Sequence, residues 1–176
     1  RIQQLRQYDR LIFDLDAEIV RKLSKLDGIM QRCNIRLSNY VSNTDTKSYK
    51  DVVDDLCNGI TDPSELIRKV HGRIVNKHGR DTILASLTGV VSDAEKDTMR
   101  QLRAEITLAE EHKQECLDKM VTICKTYYPE ELKRLMTIPG IKERAATSLI
   151  AEIGTDMSKF PTAAHLASWS GLKPRN

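Results

Sequence analysis

The chain has 176 residues, enough for one domain or two small ones with a core of useful size. Hydrophobic residues make up 40% and charged residues 30%, which excludes a disordered chain; only 5% are aromatic and 8 are glycine, which favours helices over a sandwich or barrel. The formal charge is +3, and no apolar run approaches the roughly 20 residues that cross a bilayer, so a membrane span is excluded and no membrane partner is expected. All of the excess charge falls in the last 52 residues, Lys125 to Asn176, where eight basic residues face five acidic ones; the rest carries 20 of each. A local basic surface of this kind suits phosphate contacts.

The first element is a helix over about residues 1–33. Leu5, Ile12, Ile19, Leu26 and Cys33 recur every seven residues, with Ile2, Leu23 and Met30 at the other seam position. Asp9 and Asp16 interrupt that second position. A helical insert follows over about residues 34–91. Ser48 can cap a helix that stops at Gly59, and Asp62-Pro63-Ser64-Glu65 opens another, with Asp62 as cap and Pro63 in the first turn. Gly72, Gly79 and Gly89 have the look of stops between short helices.

A second long helix covers about residues 92–127, opened by the capping-box spacing Ser92-Asp-Ala-Glu95. Met99, Ile106, Lys113, Met120 and Tyr127 share one heptad position, and Leu102, Ala109, Cys116 and Ile123 share the other. The expected fold is all-α: long antiparallel coiled-coil helices, pairing within the chain or with a second copy, around the helical insert. Pro129 ends the second long helix, because proline removes a helical hydrogen bond. It sets a boundary between a connector domain, residues 1–127, and a small domain, residues 128–176.

In the small domain, short helices are expected over about Pro129–Thr137, Lys142–Ile153 and Thr162–Ser170. Leu132, Leu135 and Met136 are expected to face inward, as are Ala145, Leu149, Ile150 and Ile153. Ile138-Pro139-Gly140-Ile141 joins the first two helices in the manner of a helix-hairpin-helix. A tight glycine turn exposes N–H groups at the start of the next helix, where the dipole also favours an anion. Lys142 and Arg144 stand beside that start and can pair with phosphate oxygens without reading sequence. Ile138, Pro139, Gly140, Ile141, Lys142 and Arg144, with Lys173 and Arg175, are therefore the candidate DNA-binding residues. The alternative is a plain corner in a helical core.

Other candidates have simpler readings. The Asp14-Leu-Asp16 pattern imitates a metal-binding D-x-D, but helical spacing runs through it and points the two carboxylates apart. His112 and Cys116 are four apart, yet two ligands do not make a zinc site. The cysteines Cys33, Cys57, Cys116 and Cys124 form no metal template and read as buried free thiols. His165 reads as a surface or packing histidine, and Trp169 as a core residue of the small domain. Lys69, Arg73, Lys77 and Arg80 form a basic cluster that is either a solvated face or a track for RNA or DNA backbone.

Three blocks in order, Leu135-Met-Thr-Ile-Pro-Gly-Ile141, Ala146-Thr-Ser-Leu-Ile-Ala-Glu-Ile-Gly154 and Phe160 to Pro174, resemble the C-terminal transposase domain of the insertion-sequence 110/116/902 family. The resemblance covers about forty residues. It implies a DNA transposase or site-specific recombinase of a mobile element. It further implies a RuvC-like N-terminal domain with an acidic DEDD tetrad that binds magnesium, a coiled-coil region, a serine nucleophile and a guide RNA from the element. The tetrad would precede Arg1 and the serine would follow the block Gly171-Leu172-Lys173-Pro174. The abrupt start and end accordingly read as those of a fragment, with no catalytic residue, cofactor or metal site of its own and no strand cleavage alone. DNA, the guide RNA and a second copy through the coiled coil are the expected partners, in a bacterial or archaeal cytosol near the nucleoid. Two alternatives stay open: a helix-hairpin-helix module of a repair or replication factor, and a structural coiled-coil adaptor.

Overall fold

Nine α-helices and no strand are found among residues 1–170, which are the residues described by the computed structural model. They fall into two units: the first comprises Arg1–Phe13 and the chain from Lys113 onward, the second Asp14–His112. Two long helices, α1 (Ile2–Arg32) and α6 (Asp93–Tyr127), contribute to both.

In the second unit the heptad residues of α1, from Ile19 through Leu23, Leu26 and Met30 to Cys33, are buried in one cluster with Met99, Ile106 and Ala109 of α6. Lys22 pairs with Glu105 at 3.1 Å, and Leu15 and His112 line the same hollow, so the two helices run antiparallel there. The insert closes over this seam. It comprises α2 (Lys47–Cys57), α3 (Pro63–Leu66), a short 3-10 turn at Ile67–Lys69, α4 (Gly72–His78) and α5 (Arg80–Ser86). Tyr49, Val52, Val53 and Leu56 of α2 are fully buried, as are Leu66, Ile83 and Leu87. Tyr49 donates its hydroxyl to Asp27 at 2.8 Å; burial first, and that carboxylate second, hold the phenol well above its ordinary pKa. Arg103 of α6 grips Asp54 of α2 with two bonds of 2.7 and 2.8 Å, the bidentate geometry a guanidinium prefers.

Local signals account for the helix ends. Ser92 and Glu95 form the reciprocal capping box: the Ser92 N–H donates to Glu95 Oε2 at 2.9 Å, and the Glu95 N–H donates to Ser92 Oγ at 3.3 Å. Asp62 caps α3 by accepting from the Ser64 N–H, with Pro63 in the first turn. Three expectations change. Thr46, not Ser48, occupies the N-cap of α2; Ser48 is buried and accepts a 2.9 Å bond from the His71 N–H, which satisfies a backbone donor from the α4 side. Gly72 begins α4 rather than ending a helix. Gly89 ends no helix; it lies where the chain crosses the carbonyl of Cys33.

The first unit has its own core, with Leu5 and Ile12 of α1 against Cys116, Met120 and Cys124 of α6 and Leu132, Ala146, Ile150 and Ala151 beyond. Arg1 stacks on Tyr127 and Lys119 on Tyr8, so here too α1 and α6 run antiparallel. All four cysteines are buried free thiols. Burial pushes Cys124 up to about 11, and burial together with an S–H bond to Glu95 does the same to Cys33.

Candidate nucleic-acid interface

Pro129 opens α7 (Pro129–Met136), and Tyr128 turns out of helical geometry to let it do so. Glu130 and Glu131 lie in its first turn and Lys133 and Arg134 in its last, each on the side that the helix dipole favours. After α7 the chain makes one tight turn. The Ile141 N–H donates to the Ile138 carbonyl at 3.0 Å across Pro139-Gly140, and Gly140 has φ +88°, which is the type II arrangement of proline followed by glycine. A Cβ at Gly140 would meet nothing within 4 Å, so backbone conformation, not space, demands glycine.

The turn delivers the chain to α8 (Glu143–Ile153). Lys142 is its N-cap, extended at φ −105° and ψ 178°, and makes no side-chain cap. The first N–H groups of α8 therefore have neither an intrahelical acceptor nor a cap from Lys142. Ile138, Pro139, Gly140, Lys142 and Arg144 are all exposed, while Ile141 is half-buried beside Leu132 and Leu135. Glu143, in the first turn, is ion-paired with Lys125 at 3.1 Å, which tempers its negative charge beside the helix start. Lys173 and Arg175 lie outside the described residues.

What holds α8 in place is α1. Arg6 donates from Nε to the Ala151 carbonyl at 2.8 Å and from Nη2 to the Glu152 carbonyl at 3.1 Å, closing the C-terminal end where carbonyls lack helical partners. Asp9 accepts a hydrogen bond from Ser148, so the residue that interrupts the heptad serves as a polar contact to α8. Neither role was legible, because the partners are 145 and 139 residues apart. This docking also moves the buried face of α8. Ala146, Thr147, Ile150 and Ala151 are buried, whereas Ala145 is exposed and Leu149 and Ile153 are half-buried, contrary to the expected stripe. We expect Arg6→Ala to destabilise the first unit by about 2 kcal/mol, since two charge-assisted bonds are lost. Urea unfolding followed by helical circular dichroism reads this directly; a midpoint shift no larger than for Arg10→Ala, an exposed neighbour, contradicts it.

Beyond α8, a 3-10 turn at Met157–Lys159 leads to α9 (Ala163–Trp169). Trp169 does not fill a core: it is 55% exposed and meets Phe160 edge-on at 5.7 Å, because α9 buries none of its residues. His165 is exposed and bonded to Thr162 at 2.8 Å, a surface histidine. Asp14 and Asp16 are on α1, in helix as expected, and His112 is exposed while Cys116 is buried.

Charge separates with the units. The sequence of the first carries 13 basic and 8 acidic residues, that of the second 15 basic and 17 acidic. The unit with the exposed turn is therefore the cationic one, and Arg1, with Arg6 and Arg10 of α1, adds to the C-terminal excess.

Residues 132–176 match the family model described as Transposase IS116/IS110/IS902 family. The match begins at Leu132 of α7 and takes in the turn, α8 and α9; the chain before Leu132 lies outside it. No curated protein and no solved structure matches the chain.

Proposed function

We propose that this chain is a DNA-handling part of a mobile element's transposase, in which α7, the Pro139–Gly140 turn and the start of α8 act as a helix-hairpin-helix on duplex backbone. The observation that carries this reading is a coincidence of place. The family match spans the turn whose exposed glycine leads into a helix start uncapped by side chain, with Lys142 and Arg144 beside it.

The physics is that of an anion at a helix N-terminus. A phosphate oxygen there accepts N–H bonds that the helix itself cannot use, and the dipole adds a partial positive charge. Two cationic side chains bracket that point and release counterions when they contact phosphate. Gly140 lets the backbone approach closely, since no Cβ stands in the way. None of these contacts touches a base edge, so the grip is blind to sequence. Arg6 and Asp9 act at one remove, by fixing α8. The acidic tetrad, its magnesium and the serine nucleophile implied by the family resemblance are assigned to no residue of this chain, whose proposed role is binding rather than strand cleavage.

A salt titration of the chain on two short duplexes of unrelated sequence tests the proposal. The expected result is equal affinity for both, with log K falling against log salt at a slope of about −2 or steeper, from at least two phosphate contacts. Absence of binding at low salt, or a marked preference for one duplex, contradicts it.

A further inference from the structure

The geometry points to a second phosphodiester-binding surface, on the helical insert, formed by Arg36, Arg73, Lys77 and Arg80 beside a cleft that no acidic residue lines. The second unit is slightly acidic, yet the fifteen residues from Leu66 to Arg80 contain no acid and hold Arg68, Lys69, Arg73, Lys77 and Arg80 with His71 and His78. Two of these cations are occupied: Arg68 pairs with Glu65 and Lys69 with Asp55, each at 3.4 Å. Arg73, Lys77, Arg80 and Arg36 are exposed and make no ion pair among the described residues.

Their placement is not that of a random solvated face. Ile74 and Val75 turn one side of α4 onto the core, which leaves Arg73 and Lys77, four apart, on the opposite side. Gly79, at φ +88°, breaks the helix and starts α5 at Arg80. Arg73 and Arg80 thus both stand in the first turn of a helix, where the dipole disfavours a cation. For Arg80 this is offset by Asp81 in the same turn and by the C-terminal end of α4, capped at Gly79; α4 has no acid in its first turn to offset Arg73. A local cost of this sort at Arg73 is the kind that a binding site sustains.

The loop before α2 completes the surface. Tyr40 meets His78 edge-on at 5.2 Å, which ties this loop to the end of α4. Beside that contact opens a cleft of about 520 Å³ with Arg36, Asn39, Tyr40 and Thr82 among its walls and no acidic residue lining it. The four cations are spread over a loop and two helices rather than converging on one point, which suits a polyanion over a single phosphate. No large apolar side chain between residues 61 and 86 is exposed, so the surface lacks the apolar face with which a helix enters a membrane interface. The ligand is therefore the phosphodiester backbone of a nucleic acid. This surface goes beyond the hairpin reading and does not depend on it.

The test uses the full chain, with Arg36, Arg73, Lys77 and Arg80 all changed to Gln, against duplex DNA and single-stranded RNA of the same sequence. Glutamine keeps helix propensity and leaves the core untouched. We expect the variant to lose on the order of tenfold or more in affinity for at least one probe, and its salt slope to flatten by about 3, at 0.7–0.9 per contact. The probe that is weakened identifies the source of the backbone. The pair Arg73→Gln with Lys77→Gln should give about half the change in slope and guards against a fold defect in the fuller variant. Unchanged affinity and slope on both probes overturn the proposal. If Lys142→Gln with Arg144→Gln has no effect while the insert variant does, the hairpin reading fails and this one stands.

Discussion

Gly89→Ala should destabilise the second unit by about 3 kcal/mol or more, a loss of over a hundredfold in the ratio of folded to unfolded chain. A Cβ at this position would lie 2.0 Å from the Cys33 carbonyl oxygen and 2.7 Å from Ile35 Cγ1. The first of these is backbone and cannot swing aside as a side-chain tip would. Nor can the segment around Gly89 simply retreat. The Val90 N–H donates to that same Cys33 carbonyl at 3.1 Å, and Asn34 donates from its side chain to the Thr88 carbonyl at 3.2 Å. Backing away costs these bonds, about 1 kcal/mol each. It also drags Leu87 and Val91, both buried, out of register with the core. Gly72→Ala is the control: its Cβ would meet nothing within 4 Å and it begins a helix, so it should leave stability unchanged or slightly raised. Urea midpoints for the two variants decide the matter; a Gly89→Ala midpoint equal to that of Gly72→Ala rules the close approach out as a constraint.

Much of the helical fold was readable because period and cap are local signals. The residues from Leu5 to Cys33 that repeat every seven are all buried, and the Ser92–Glu95 box forms as its spacing implies. The Pro-Gly turn and the short helices on either side were legible for the same reason. What escaped was set by contacts distant in sequence. The rotation of α8 depends on Arg6, which belongs to no motif, and on Asp9, which reads on its own as a flaw in a seam. Ser48 has the right chemistry for a cap, but tertiary packing gives it the His71 N–H instead. Trp169 is large and apolar, and only the absence of buried residues on α9 shows why it stays outside. Gly89 could not be told from a helix stop, because a close backbone approach has no sequence signature of its own.

A large functional effect is also expected at the hairpin. Replacing Lys142 and Arg144 together with Glu places two negative charges beside the uncapped start of α8, where a phosphate is proposed to sit. Both side chains are exposed, so the fold should survive. At about 1 kcal/mol for each exposed phosphate contact, affinity for duplex DNA should fall about 30-fold, evenly across sequences. The loss should be largest at low salt, where unscreened charge matters most. A salt titration of wild type beside this double variant, on one short duplex, is the most direct measurement. The slope of log K against log salt should become shallower by about 2, with helical content retained. Parallel titration lines of equal affinity would mean that α7, the turn and α8 make no contact with DNA.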